Sequence, residues 1–124
     1  MITDEMNEDL SKEVSEEEIR YTRHSFQKGK IPGPDGFTID FYLGFYDLMK
    51  NDILEVVCES QKSRKFLGSI NSIFLSLIPK KQKPQTFEDF RPISCCNMIY
   101  KIIAKVLSLR LKPVLSDIIS EEQF

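Results

Sequence analysis

The stretch from Ile70 to Ser94 constrains the fold more than any other part of this 124-residue chain. In "INSIFLSLIPK", Ile73, Leu75 and Leu77 alternate with Ser72, Phe74 and Ser76, the two-residue period of a β-strand. Pro79 ends that strand because it has no N–H to give to a ladder. A polar loop, "KKQKPQTFED", leads to a second short run at Phe90–Ser94, so the spacing predicts an antiparallel hairpin. One strand sends out Lys80, Lys81 and Lys83 at its end, and the other carries Arg91 near its start.

Helical patterns surround the hairpin. Ser15 followed by Glu18 is a capping-box signature, and "SEEEIRYTRHSFQKGK" is expected to be a helix. Ile19, Tyr21, Thr22 and Phe26 lie towards its buried side, and Gly29 serves as its C-cap. His24 has no nucleophile or ligand cluster beside it and is read as a surface residue. "PGPDG" at 32–36 is turn punctuation, with Asp35 as a turn or cap acceptor. One long helix is expected from Ile39 to about Gln61, burying Phe41, Phe45, Leu48, Ile53, Val56 and Val57. Its aromatic cluster is read as core in preference to a base-stacking platform.

After the hairpin, "NMIYKIIAKVLSLRLK" is amphipathic, with Asn97 as N-cap and Pro113 as the stop. Lys101, Lys105, Ser108 and Lys112 form its polar stripe, opposite Ile99, Ile102, Ile103, Val106 and Leu107. The fold class expected is α+β: a short antiparallel β-hairpin flanked by three to four α-helices. Residues 1–14 are expected to be an acidic, disordered lead, with one domain over 15–124.

Charge is unevenly placed. Residues 1–20 carry eight acids against Lys12 and Arg20, a net of −6, whereas residues 60–112 carry eleven bases against Glu88 and Asp89, a net of +9. The overall −2 hides a basic second half suited to an anionic partner, nucleic acid or nucleotide phosphate. Lysine supplies a mobile point charge and arginine a rigid fork, so Lys80 and Arg91 together suit a triphosphate. The helical lysines Lys101 and Lys105 suit a nucleic-acid backbone.

Other classes fit poorly. Cys58, Cys95, Cys96 and His24 lack metal-ligand spacing, so the cysteines are read as free thiols and no metal site is expected. The uncharged runs Phe66–Pro79 and Ile93–Tyr100 are shorter than the roughly 20 apolar residues of a membrane span. The acidic start has no signal-peptide core, and an intracellular location is expected, with nucleus and cytoplasm equally open.

"GPDGF" at 33–37, "LIPKK" at 77–81, "DFRPIS" at 89–94 and "NMIYKIIAKVLSLRL" at 97–111 occur in a familiar order. Together they resemble the fingers region of reverse transcriptases from non-LTR (LINE-type) retrotransposons, especially the plant kind. The tail "IISEEQF" resembles the segment leading into the palm, and Cys95 stands where that family often has Leu.

The resemblance implies nucleotide-phosphate contacts for Lys80 and Arg91. It implies weaker phosphate or template contacts for Lys81 and Lys83, and partners that are RNA template or DNA and dNTP. It also implies that a complete parent enzyme uses Mg2+ held by palm aspartates from an Asp-bearing strand and a (Phe/Tyr)-x-Asp-Asp turn. No Asp-Asp pair occurs in this chain. It is therefore expected to stop before the palm, to contain no catalytic residue, and to be inactive alone. The alternatives are a non-catalytic nucleic-acid-binding remnant, or a helical protein-interaction module that self-associates through exposed apolar surface.

Overall fold

A computed structural model describes residues 2–65, 68 and 70–119. The tail at 120–124 and part of the basic connector lie outside the described residues. The architecture is α+β, with five α-helices and one two-stranded antiparallel hairpin among the described residues. In chain order these are α1 (Asp4–Ser11), α2 (Glu16–Arg23), α3 (Ile39–Gly44), α4 (Tyr46–Ser63), β1 (Ile73–Pro79), β2 (Phe90–Cys96) and α5 (Met98–Ile118). A single 3₁₀ turn, Phe87–Asp89, precedes β2.

Helix α5 is the centre of the core. Met98, Ile102, Ile103 and Val106 recur every three to four positions and pack with Val14, Ile19, Ile39, Tyr46, Ile53 and Val57. Each such side chain contributes on the order of 1.5–3 kcal/mol by leaving water. Pro113 does not stop this helix, which runs on to Ile118. Proline removes the donor that the Leu109 carbonyl would use, but the residue is exposed and Val114, 8% exposed, anchors the final turns.

The capping box forms as expected: Ser15 Oγ accepts from Glu18 N at 3.3 Å and Ser15 N donates to Glu18 Oε1 at 3.4 Å. Ile19 and Thr22 are buried, and the Thr22 hydroxyl donates to the Ile19 carbonyl at 2.8 Å. Tyr21 is 69% exposed, contrary to the sequence expectation. It follows Ile19 by two positions, about 200° round the helix axis. The helix also ends earlier than expected, at Arg23, so Gly29 is not its C-cap. Gly29, at φ +75°, instead shapes a later turn and donates to Asp40 Oδ2 at 3.4 Å. His24 is exposed.

The long helix expected over 39–61 is two helices. Phe45, at φ −110° and ψ 15°, interrupts it directly after Gly44. Phe45 N still donates to Phe41 O, and Met49 N to Phe45 O, so the two pieces stay nearly in register. The break lets Ile39, Tyr46, Ile53 and Val57 share one core face. Phe45 and Leu48 are 49% and 79% exposed, not buried.

The acidic lead, expected to be disordered, is helical over Asp4–Ser11. Thr3 Oγ1 caps it by accepting from Met6 N at 3.2 Å. The chain that follows is held through its backbone. Gln61 accepts from Val14 N at 3.1 Å and donates to Lys12 O at 2.8 Å, while Arg110 Nη1 donates to Leu10 O and Lys12 O. No helix among the described residues is long and apolar enough to cross a membrane.

Candidate nucleotide and nucleic-acid contact surface

The hairpin register pairs Ile73 with Cys96 at the base and Pro79 with Phe90 at the tip. Because side chains alternate, one face carries Ile73, Leu75, Leu77, Phe90, Pro92 and Ser94. The other carries Phe74, Ser76, Ile78, Arg91, Ile93 and Cys95. Every β1 residue is exposed, and in β2 only Cys95 is buried. The alternation of the sequence is therefore present, while the one-sided burial that usually accompanies it is not.

Arg91 pairs with Ile78, and Lys80 N donates to Asp89 O at 2.8 Å, which extends the ladder by one step. Lys80 thus stands on the Arg91 face as its diagonal neighbour, a relation that puts α-carbons about 7–8 Å apart. Lys80 Nζ donates to the Glu88 carbonyl at 3.0 Å. Arg91 is exposed, and its guanidinium has no hydrogen-bond or ion-pair partner among the described residues. One tethered ammonium and one free guanidinium therefore share the tip of one face.

Asp89 organises the loop between them. Its carboxylate accepts from Gln85 N at 2.8 Å, Thr86 N at 3.0 Å and Lys81 Nζ at 2.8 Å. The Lys81 ammonium, helped by the two backbone donors, lowers the Asp89 pKa from 3.8 to about 2. Lys81 is consequently neutralised within the loop, while Lys83 is exposed and unpaired among the described residues.

Lys101 and Lys105 are half-buried on α5. Six residues, five of them in β2, separate Arg91 from the start of that helix, about 20 Å of extended chain. The six candidate cations thus fall into a tip group, Lys80, Lys81, Lys83 and Arg91, and a basal pair.

The base of the hairpin is fixed by the Gly33–Gly36 turn. Gly36 N donates to Gly33 O at 3.0 Å, and Asp35 Oδ1 accepts from Phe37 N at 3.0 Å, so Asp35 is a turn acceptor as expected. Gly36 has φ +77°, where glycine is favoured. Asn97 holds the N-cap position of α5, but its Oδ1 accepts from Asp35 N at 3.0 Å and it makes no side-chain cap bond. A Cβ on Gly33 would sit 2.5 Å from the Cys96 carbonyl carbon and from Asn97 N. The "GPDGF" motif therefore meets the start of "NMIYKIIAKVLSLRL" at Asn97, in part through backbone.

Sequence reasoning missed two polar anchors. Arg110 Nη2 and Nε meet Glu18 Oε1 and Oε2 at 2.6 and 2.8 Å, with the arginine side chain only 11% exposed. Arg23 lies 4.2 Å over the ring of Tyr46, whose hydroxyl donates to Glu16 Oε1 at 3.1 Å. Neither pairing has a sequence signature, since the partners lie on different elements. Among the described residues no group of three or more His, Cys, Asp or Glu is placed to hold a metal ion.

Over 123 residues the chain is 33% identical to the transposon TX1 uncharacterized 149 kDa protein of Xenopus laevis. That match takes in 99% of this chain, and the chain spans 9% of the relative's length. The chain is thus similar throughout to one segment of a transposon protein, which supports a transposon origin. A scan against protein-family models gives no match.

Proposed function

We propose that the chain is the fingers segment of a non-LTR (LINE-type) retrotransposon reverse transcriptase. In this role the hairpin tip grips the phosphates of an incoming deoxynucleoside triphosphate. The observation that carries the proposal is the diagonal placement of Lys80 and Arg91 on one exposed hairpin face, in a chain similar throughout to a transposon protein. Lys80, directed by its bond to the Glu88 carbonyl, supplies a point charge, and Arg91 supplies a fork that hydrogen-bonds phosphate or lies against the base. Lys83 is a further phosphate contact, and Lys81 becomes one only when it leaves Asp89.

In a polymerase, Mg2+ neutralises charge developing on the transferred phosphoryl group. The residues here do not fit that ion: the chain has no Asp-Asp pair, and no described cluster is placed to hold a metal. Its own contribution is therefore binding and alignment, with RNA template or DNA as the second partner.

Equilibrium binding of a fluorescent dNTP to the 124-residue chain tests the proposal. Lys80→Ala combined with Arg91→Ala is expected to weaken binding by at least about tenfold, from loss of charge-assisted bonds. Unchanged affinity in that double variant sinks the assignment.

One observation favours a second reading as a protein-interaction module. Leu107, Leu111, Leu115 and Ile118 are 40–49% exposed along one side of α5, and both hairpin faces expose apolar residues. Association through such surface would be insensitive to salt, whereas nucleic-acid binding falls steeply with it.

A further inference from the structure

The aromatic residues after the Gly33–Gly36 turn do not all enter the core. Phe37 and Phe45 are 46% and 49% exposed, and their rings flank Phe41 at centroid distances of 4.8 and 5.0 Å. At the Phe37 end of this row lies a hollow of about 180 Å³, between residues 25–32 and the start of α5. Phe26, Pro32 and Met98 contribute apolar wall; Lys30 and Lys101 also line it, and no carboxylate does. Neither lysine's ammonium has a hydrogen-bond or ion-pair partner among the described residues.

We infer that this hollow takes one base of a single-stranded polynucleotide against Phe37, while Lys30 and Lys101 hold the flanking phosphates. Every base offers a π-face, so a half-exposed phenylalanine beside unpaired cations binds strands with little regard to sequence. A hollow of this size admits one unstacked base and excludes a duplex. The charged groups that line the hollow are the two lysines alone, so a strand's phosphates are drawn to that side. The inference shares its partner class with the function proposed above, but it assigns a second site, about a hairpin's length from Lys80 and Arg91, and adds Lys30 and Phe37 to the binding residues.

The test is fluorescence anisotropy of a labelled twelve-nucleotide oligouridylate against the whole chain, over a range of salt concentrations. Lys30→Glu with Lys101→Glu is expected to weaken binding at least about tenfold and to flatten the log–log salt slope by roughly 1.4, the value for two phosphates on a single strand. Phe37→Leu, which keeps apolar bulk but loses the ring, is expected to cost about fivefold or more.

Affinity and slope within twofold of the parent in both variants overturn the inference. Uridine monophosphate binding as tightly as the oligomer also overturns it, because a strand site needs the flanking phosphates. Photocrosslinking of 4-thiouridine RNA to the unaltered chain gives a reading without substitution: adducts are expected within residues 30–37 and at Lys101, and adducts only elsewhere overturn the site. Lys80→Ala with Arg91→Ala, measured with dNTP, reports separately on the hairpin tip, so either site can fail while the other stands.

Discussion

Asn97 Oδ1 accepts a hydrogen bond from the Asp35 amide at 3.0 Å, joining residues 62 positions apart and locking the "GPDG" turn onto the junction of β2 and α5. Asn97 is 3% exposed, so Asn97→Ala removes a buried acceptor, leaves the Asp35 amide to solvent and is expected to cost about 1 kcal/mol. Gly33→Ala is expected to cost more, because its Cβ would overlap backbone that cannot swing away. Gly44→Ala, with open space at its Cβ, is expected to stabilise by about 0.5–1 kcal/mol. Urea unfolding midpoints of the three variants give the ranking.

The Arg110–Glu18 pair ties α5 to the start of α2. Hydrogen bonding from the Arg110 guanidinium holds the Glu18 carboxyl below its ordinary 4.5. A carboxylate depressed by folding contributes stability that is full above its unfolded pKa and is lost as pH falls through the folded one. Unfolding measured from pH 7 to pH 3 should therefore show a loss beginning below about 4.5 that Glu18→Gln removes. At neutral pH, Arg110→Met is expected to cost about 2 kcal/mol, as it takes the guanidinium from the Glu18 carboxylate and the Leu10 carbonyl and leaves the Lys12 carbonyl with Gln61 alone.

Asp89 controls the loop that presents Lys80. With its pKa lowered from 3.8 to about 2, the carboxylate keeps its three donors throughout the neutral range and releases them only as pH falls to about 2. A carboxyl-carbon NMR titration should find that low value, and Lys81→Ala should raise it. Asp89→Asn is expected to speed amide exchange at Gln85 and Thr86 while leaving the α5 amides unchanged.

Exposed apolar residues of the hairpin and α5 carry little of the folding energy. Leu75 is 69% exposed and Leu111 42% exposed, so Leu75→Thr and Leu111→Lys are expected to shift stability by less than about 0.5 kcal/mol. Both should lower binding of a hydrophobic dye and any self-association seen by light scattering. A large stability loss in Leu75→Thr would show that the β1 face is covered.

The sequence by itself determined whatever is decided within a few residues. The Ser15–Glu18 box, the turn at 33–36, the hairpin and the amphipathic start of α5 follow from local hydrogen bonding and from periods of two and 3.6. It also placed Lys80 and Arg91 at neighbouring strand ends, since Pro79 closes one apolar run and Phe90 opens the next.

Tertiary packing decided the rest. Whether Phe45 is core or surface depends on where α3 breaks to keep Ile39 and Tyr46 on one face, and whether Pro113 ends α5 depends on the burial of Val114. Arg110 finds Glu18, and Asn97 turns from capping its own helix to Asp35, only once distant elements meet. Periodicity marks which side chains can share a face, but burial requires a second surface, and the chain's own fold alone decides where that surface is.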